Sequence, residues 1–377
     1  MLRRSHLALA AGVIVWLASV ALTVAHAQTP ASQMSEAAFK NIQVLKGIPV
    51  DEFMGTMGLF SAALSVCCAE CHTGAGTSNP KWEDDPPRKR TARRMVQMVT
   101  AINRDNFNGR QIVTCWTCHR GSQSPLVTPP LDKMYGEPVI EPPDILPRAT
   151  SGEPTADEIF DKYIQALGGA QRLANLTSFT AKGTYSGYDT DLAKVAIEIY
   201  AKAPAQRTTI VHAAFGDSVR VYDGRSAWIA SPDKPLPLMP LTGGNLEGAK
   251  IEAIVAFPTQ LKKAFSQWRV TSTAIDDREV RVLQGSNPRQ PPVNFYFDDA
   301  GLLVRLVRLA DTAIGRVPTQ IDYSDYREVS GVKLPFRWTA TWTDGQSTAE
   351  LTEVQANVAI DATKFARPAP APPPRTR

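Results

Sequence analysis

The chain has 377 residues, of which 43% are hydrophobic and 21% charged, with 24 glycines and 29 prolines. That composition excludes a largely disordered chain and a polytopic membrane protein, and the length leaves room for two domains. The net charge is only +4, and Arg3 and Arg4 of the N-terminal leader supply two of those charges, so no nucleic-acid footprint is present.

Arg3 and Arg4 precede an uncharged run of 18 residues from Leu7 to Val24, and Ala25-His26-Ala27 follows as a small-x-small cleavage site. This predicts a signal peptide over 1–27 and a periplasmic protein. Because 18 residues is the lower limit for a spanning helix, an uncleaved N-terminal membrane anchor is the alternative.

Residues 28–121 hold every cysteine of the mature chain. Two helices are predicted there. Phe53, Met54, Met57, Phe60 and Leu64 share one face of a helix from about Asp51 to Val66, and Met95, Val96, Met98, Val99 and Ile102 share a face of another from Thr91 onward. Gly55 and Gly58 flank Met57, and each costs about 1 kcal/mol of helix stability relative to alanine. Close approach to a flat macrocycle and ordinary helix packing both explain them. Arg88, Lys89, Arg90, Arg93 and Arg94 sit where positive charge opposes the helix dipole. Haem propionates, an acidic partner and the neighbouring Glu83-Asp84-Asp85 are the three candidate counter-charges.

Residues 122–154 contain eight prolines and predict an extended linker. The segment 155–366 opens with a helix: Thr155 is the N-cap, Ile159, Phe160, Tyr163, Ile164 and Leu167 form its apolar face, and Gly168-Gly169 stops it. Alternation such as Val195, Ile197 and Ile199, with turns at Asp223-Gly224, Asp298 to Gly301, Ser330-Gly331 and Asp344-Gly345, predicts about ten antiparallel strands. A helical insertion is expected near Gly248 to Phe265, and 367–377 is a proline-rich tail.

The chemistry lies in Cys68-Ala69-Glu70-Cys71-His72 and Cys115-Trp116-Thr117-Cys118-His119, two C-x-x-C-H segments. Two thiols three positions apart reach the two vinyl groups of a porphyrin edge, and the adjacent imidazole falls beneath the iron. Cys68, Cys71, Cys115 and Cys118 are therefore the expected attachment points of two covalent haem c groups, with His72 and His119 as proximal ligands. A zinc site is the weaker reading, and a thioredoxin-type C-x-x-C lacks its βαβ setting. The only other histidine after the leader, His212, falls in a strand pattern and reads as structural. A sixth iron ligand must then come from methionine or be absent. Met54, Met57, Met95 and Met98 are the candidates, with core filling as their alternative role. Cys67 reads as a small buried residue.

These motifs, with Asn41-Ile42-Gln43-Val44-Leu45, Glu52-Phe53, Thr56-Met57, Ala92-Arg93-Arg94-Met95-Val96-Gln97-Met98, Ala101-Ile102-Asn103 and Val113 to Gly121, resemble the photosynthetic reaction-centre cytochrome c subunit. The resemblance covers about 80 residues. It implies that each haem lies along a helix donating a methionine, which puts the distal ligands at Met57 and Met95, with Met54 and Met98 as second choices. That subunit carries four haems in two such halves and is often lipid-anchored, whereas this chain has one half and no cysteine near the cleavage site. One family haem takes a histidine from a loop, and here no histidine lies between Thr73 and Cys118. More diffusely, the Ile159 to Gly169 helix and the Phe297 to Leu303 hairpin are similar to periplasmic lipoprotein-sorting carriers, which implies a curved sheet around a helix and an apolar, lipid-accepting cavity.

The expected architecture is multidomain: a mainly α dihaem cytochrome c domain, then an α+β domain with a curved antiparallel sheet. The expected function is single-electron transfer between redox donor and acceptor proteins, a membrane-bound reaction centre or respiratory complex among them. The alternatives are a haem enzyme, a peroxidase or reductase with one open iron, and a lipid- or apolar-ligand-binding module with redox-sensing haems.

Overall fold

In the computed structural model the residues described are 32–77, 79–129, 131, 146 and 152–373, so the expected signal peptide and most of the proline-rich 122–154 segment lie outside them. The cysteine-bearing segment is only partly helical. Its elements are α1 (Ser35–Ala38), α2 (Val50–Leu64), a 3-10 turn (Cys68–Glu70), α3 (Pro87–Phe107) and α4 (Cys115–His119), separated by turns. Both long helices fall where the periodicity puts them. α2 ends at Ser65 in the left-handed conformation, and α3 starts at Pro87, where a missing N–H costs nothing.

The second part opens with α5 (Ala156–Ala166), capped as expected. Glu158 N donates to Thr155 Oγ1 at 3.2 Å and Thr155 N to Glu158 Oε2 at 2.7 Å, a reciprocal capping box. Ile159, Phe160 and Tyr163 are buried from its apolar face. At Gly168 a Cβ would stand 2.3 Å from the Gly331 carbonyl oxygen, so only glycine lets the helix end meet the Ser330-Gly331 turn there. α6 (Ala170–Asn175) follows.

Thirteen strands rather than about ten then form one sheet: β1 (Ser178–Gly187), β2 (Val195–Lys202), β3 (Gln206–Ala213), β4 (Gly216–Tyr222), β5 (Ala227–Ala230), β6 (Met239–Leu241), β7 (Gln267–Ile275), β8 (Arg278–Ser286), β9 (Val293–Phe297), β10 (Leu303–Thr312), β11 (Gly315–Val329), β12 (Val332–Trp342) and β13 (Gly345–Ala356). Every pairing is antiparallel, in the order β6-β5-β4-β3-β2-β1-β13-β12-β11-β10-β9-β8-β7. Two meanders thus join where β1 pairs with β13, and the outer strands β6 and β7 are linked through α7 (Gly243–Val255) and a 3-10 segment (Pro258–Ala264). The main core gathers Tyr163 of α5, Ile251 and Ile254 of α7, Leu261, and inward strand residues such as Ile197, Ile199, Phe295 and Leu306.

Of the expected linker, Leu146 is buried against Val280, Val282 and Tyr296, its N–H donating to Gln284 Oε1 at 2.9 Å. In the tail, Ala371 N donates to the Pro237 carbonyl at 2.8 Å.

The two parts are in contact. α2 packs on β6, β10, β11 and α7. Ile314, at the β10–β11 turn and 3% exposed, enters an apolar cluster with Leu59 and Ala63 of α2, Val96 of α3 and Cys115. Gln111 Nε2 donates to the Thr312 carbonyl at 2.8 Å. Among the described residues no helix is long and apolar enough to cross a membrane.

Candidate functional site

The first C-x-x-C-H follows the left-handed turn at Ser65. His72 N donates to the Cys68 carbonyl at 2.9 Å, which fixes the histidine one turn after the first thiol. The loop closes through a bridge between Thr73 and Lys81, and the Trp82 ring meets His72 edge-on at 5.2 Å. His72 Nδ1 is buried and makes no well-formed hydrogen bond among the described residues; the Trp82 backbone offers only a weak one. Burial, then the Lys89 charge, lowers the His72 pKa and favours the neutral imidazole, the form that binds a metal. Burial pushes the Cys71 thiol up, with Arg88 opposing it. Cys68 is exposed. So is Cys67, contrary to the expected burial, because the chain leaves α2 at Ser65 and turns it outward.

The second motif is a short helix. Thr114 caps it reciprocally with Thr117, and Asn103 of α3 prepares the approach by accepting from Ile112 N and Val113 N at 3.1 and 2.9 Å while donating to the Val113 carbonyl at 2.7 Å. After His119 the chain reverses through Arg120 and Gly121, both at positive φ, and Gly121 N donates to the Ala63 carbonyl of α2 at 2.9 Å. Cys115 is 6% exposed, and burial raises its pKa to about 11, while Cys118 is exposed. His119 Nδ1 lies 3.0 Å from the Ser122 carbonyl. A neutral imidazole donating there leaves Nε2 with its lone pair free, the tautomer a proximal iron ligand needs. Ser122 and Asn103 escaped the sequence reading because their roles are played by a backbone carbonyl and a buried amide. The Asn103 signal was its place in the Ala101-Ile102-Asn103 match.

The four methionines separate. Met54 packs toward the cluster of Met239, Leu241 and Ala249, on the sheet side of α2. At about 100° per residue, Met57 lies round the helix on the side of Phe53, Phe60 and Leu64. Met57 and Met95 are half-buried and join none of the apolar clusters of the described residues, whereas Met98 is 44% exposed. Gly55 and Gly58 face the sheet: a Cβ on Gly55 would lie 3.5 Å from Thr312 Cγ2, and one on Gly58 2.6 Å from Thr343 Oγ1. Helix packing, not approach to a macrocycle, explains both.

Three of the five basic residues on α3 find counter-charges within the chain. Arg93 Nη1 is 2.7 Å and Lys89 Nζ 3.8 Å from Asp85 Oδ1, and Arg88 pairs with Glu70. His212 is held between Asp217, at 2.9 Å, and Glu198, at 3.6 Å, on β3. Among the described residues no three His, Cys, Asp or Glu side chains gather as a metal site. Paired thiols, a histidine with Nε2 left free, and apolar side chains such as Trp82 and Trp116 open beside the motifs fit a covalently held porphyrin.

Comparison with known proteins points to the same chemistry. Residues 15–129 match the family described as the photosynthetic reaction centre cytochrome C subunit, and residues 247–353 match a family of unknown function, DUF6544. The chain is 34% identical over 100 residues to the photosynthetic reaction center cytochrome c subunit of Roseobacter denitrificans, covering 25% of this chain and 27% of that one. It is 36% identical over 91 residues to that of Thermochromatium tepidum, covering 23% and 22%. The chain therefore spans about a quarter of the length of these curated relatives. The C-terminal part is similar to a LolA superfamily protein from Nitrosomonas europaea, at 14% identity and a TM-score of 0.38 over 57% of this chain and 98% of that one. It is also similar to a DUF1329 family protein from Desulfovibrio piger, at 9% identity and a TM-score of 0.39 over 56% and 96%. Both resemblances drawn from the sequence recur in these comparisons.

Proposed function

We propose that the protein is a periplasmic dihaem c-type cytochrome that transfers single electrons. Cys68 and Cys71 hold one haem c with His72 as proximal ligand, Cys115 and Cys118 hold the other with His119, and Met57 and Met95 are the distal ligands. The bound haem iron supplies a reversible one-electron change. The rest is the work of the chain. The Ser122 carbonyl can accept from Nδ1 of a neutral His119, the Gly121 to Ala63 hydrogen bond ties the second motif to the helix that carries Met57, and burial lowers the His72 pKa. With Met57 and Met95 as ligands the haems would have a raised reduction potential, which suits a relatively high-potential carrier.

The observation that carries this reading is the pair of C-x-x-C-H segments inside a stretch matching a cytochrome family, with the second imidazole hydrogen-bonded through Nδ1. The partners are a redox donor and acceptor, a membrane-bound reaction centre or respiratory complex among them. The test is an optical spectrum of the exported protein, ferric and ferrous, with haem quantified per chain and carbon monoxide added to the reduced form. Two low-spin haems indifferent to carbon monoxide are expected. One haem per chain, or a haem that binds carbon monoxide, overturns the assignment and returns the haem enzyme to first place.

A further inference from the structure

The two C-x-x-C-H histidines are held differently at Nδ1, the ring nitrogen turned away from a bound iron. His119 Nδ1 lies 3.0 Å from the Ser122 carbonyl oxygen, an ordinary hydrogen-bond distance. His72 Nδ1 is buried without a well-formed hydrogen bond among the described residues, and its weak contact is to the Trp82 backbone. The Trp82 carbonyl already has a donor. Lys89 Nζ donates to it at 2.7 Å and to the Asp84 carbonyl at 2.9 Å. The ammonium reaches both from the first turn of α3, on a side chain only 15% exposed. A carbonyl that holds a cation is a poorer acceptor for a second N–H, because the charge draws electron density from the remaining lone pair.

The charges beside the two histidines differ as well. Asp85 Oδ1 is 3.8 Å from Lys89 Nζ and 2.7 Å from Arg93 Nη1, so one carboxylate serves two cations, and both cations disfavour positive charge on the His72 ring. Glu70, next to Cys71, is paired with Arg88, while Glu83 and Asp84 are exposed. Arg120, the cation that follows His119, is exposed and screened by solvent. A purely structural role for Lys89, closing the Trp82 to Asp85 turn onto α3, would leave reduction potentials unmoved when it is replaced.

We propose that Lys89 sets the two sites apart: by occupying the Trp82 carbonyl and placing a charge beside His72, it raises the reduction potential at the His72 site above that at the His119 site. Donation from Nδ1–H makes an axial imidazole more basic and favours ferric iron. His119 has that bond, and Lys89 weakens it for His72. A nearby cation favours the reduced, less positive state, so both effects act in one direction. An added electron then rests on the His72 side, where the Trp82 ring, 49% exposed, meets His72 edge-on at 5.2 Å. Lys89 is a positioning residue, acting through the Trp82 carbonyl, and the inference rests on the dihaem reading.

Spectroelectrochemical titration of the full-length haem-loaded protein tests it. Lys89→Met should lower the higher of the two midpoint potentials by about tenfold in the reduction equilibrium, about 59 mV for one electron, and move the lower by less than about twofold. Lys89→Gln, which removes the charge and leaves a shorter donor, should lower the higher midpoint by about threefold or more, and Lys89→Arg, which keeps charge and donors, should recover at least half of the Lys89→Met shift. Water replaces the ammonium at both carbonyls, so the melting temperature should hold. A higher midpoint that stays in place in Lys89→Met or Lys89→Gln, a shift confined to the lower midpoint, an equal shift of both, or a Lys89→Arg midpoint as low as that of Lys89→Met overturns the proposal. Wild-type protein with fewer than two one-electron haem transitions refutes the dihaem reading and the proposal together, whereas two transitions that ignore Lys89 refute the tuning alone.

Discussion

Asp51 is the buried carboxylate through which the cysteine-bearing segment holds the sheet domain, and its replacement by alanine tests that attachment directly. The side chain sits in the first turn of α2, 3% exposed, and accepts from Thr242 N at 2.7 Å, Thr242 Oγ1 at 2.8 Å and Asn245 Nδ2 at 3.1 Å. α7 begins just after Thr242 with no side-chain cap of its own and no acid in its first turn, so Asp51 supplies the negative charge its N-terminus lacks. Hydrogen bonds to a charged group contribute about 1.5–3 kcal/mol each, and an anion at a helix N-terminus about 0.3–2 kcal/mol. Desolvation of the carboxylate, several kcal/mol, opposes them. The net cost of Asp51→Ala is then about 3 kcal/mol, much of it from the Thr242 N–H left without an acceptor. Thr242→Ala removes only the hydroxyl bond to the carboxylate, about 1.5 kcal/mol at the low end of that range, and should cost almost nothing once Asp51 is gone. Urea titration of the haem-loaded protein, followed by far-ultraviolet circular dichroism and by haem absorbance, measures both changes and the coupling between them. A loss below about 1 kcal/mol for Asp51→Ala, or the same Thr242→Ala cost in both backgrounds, would refute the reasoning.

The two glycines of α2 should respond with opposite signs. A methyl on Gly55 meets Thr312 and Val317 at ordinary contact distance, so Gly55→Ala should stabilise by up to about 1 kcal/mol. A methyl on Gly58 would lie 2.6 Å from Thr343 Oγ1, so Gly58→Ala should destabilise by about 1 kcal/mol after the gain in helix propensity, and thermal unfolding of the pair checks both signs. Met57→Ala should lower one haem potential in a spectroelectrochemical titration, whereas Met54→Ala should leave both potentials in place and cost about 2 kcal/mol of stability by emptying a packed position. Burial pushes the Glu252 carboxyl up, but Arg220, Arg308 and Arg207 outweigh it and hold the folded-state pKa below the usual 4.5. A depressed folded pKa means stability that is present above about pH 4.5 and lost as the pH falls through the folded value, so Glu252→Gln should flatten the acid limb of the stability profile.

What was legible in the sequence was local. The two C-x-x-C-H segments, the apolar faces of α2 and α3, and the Thr155 cap with its Gly168-Gly169 stop are set by neighbours within a few positions, and turn residues such as Asp223-Gly224 and Ser330-Gly331 mark hairpins because they are themselves the hairpin. The strand count came out low for a physical reason. β5 and β6 span four and three residues, too short for alternation to register, and β9 starts just after Pro291-Pro292, which reads as loop.

The contact between the two parts was illegible for a different reason, and α2 illustrates it. Its composition advertises one amphipathic face, yet the helix uses two: Met57, Phe53 and Leu64 on one side, Asp51, Met54, Gly55 and Gly58 against the sheet on the other. The second face is a small, mixed set whose partners are Thr242, Thr312 and Thr343, hundreds of positions away, and no periodicity links a glycine to the threonine it makes room for. The same holds for Ile314, a lone apolar residue at a hairpin tip that becomes core only when Leu59, Val96 and Cys115 close over it. A tip residue whose buried neighbours are on helices and a helix with glycines on a face of their own are each ambiguous alone. Together they describe two halves of one interface, whose complementarity is spatial rather than sequential.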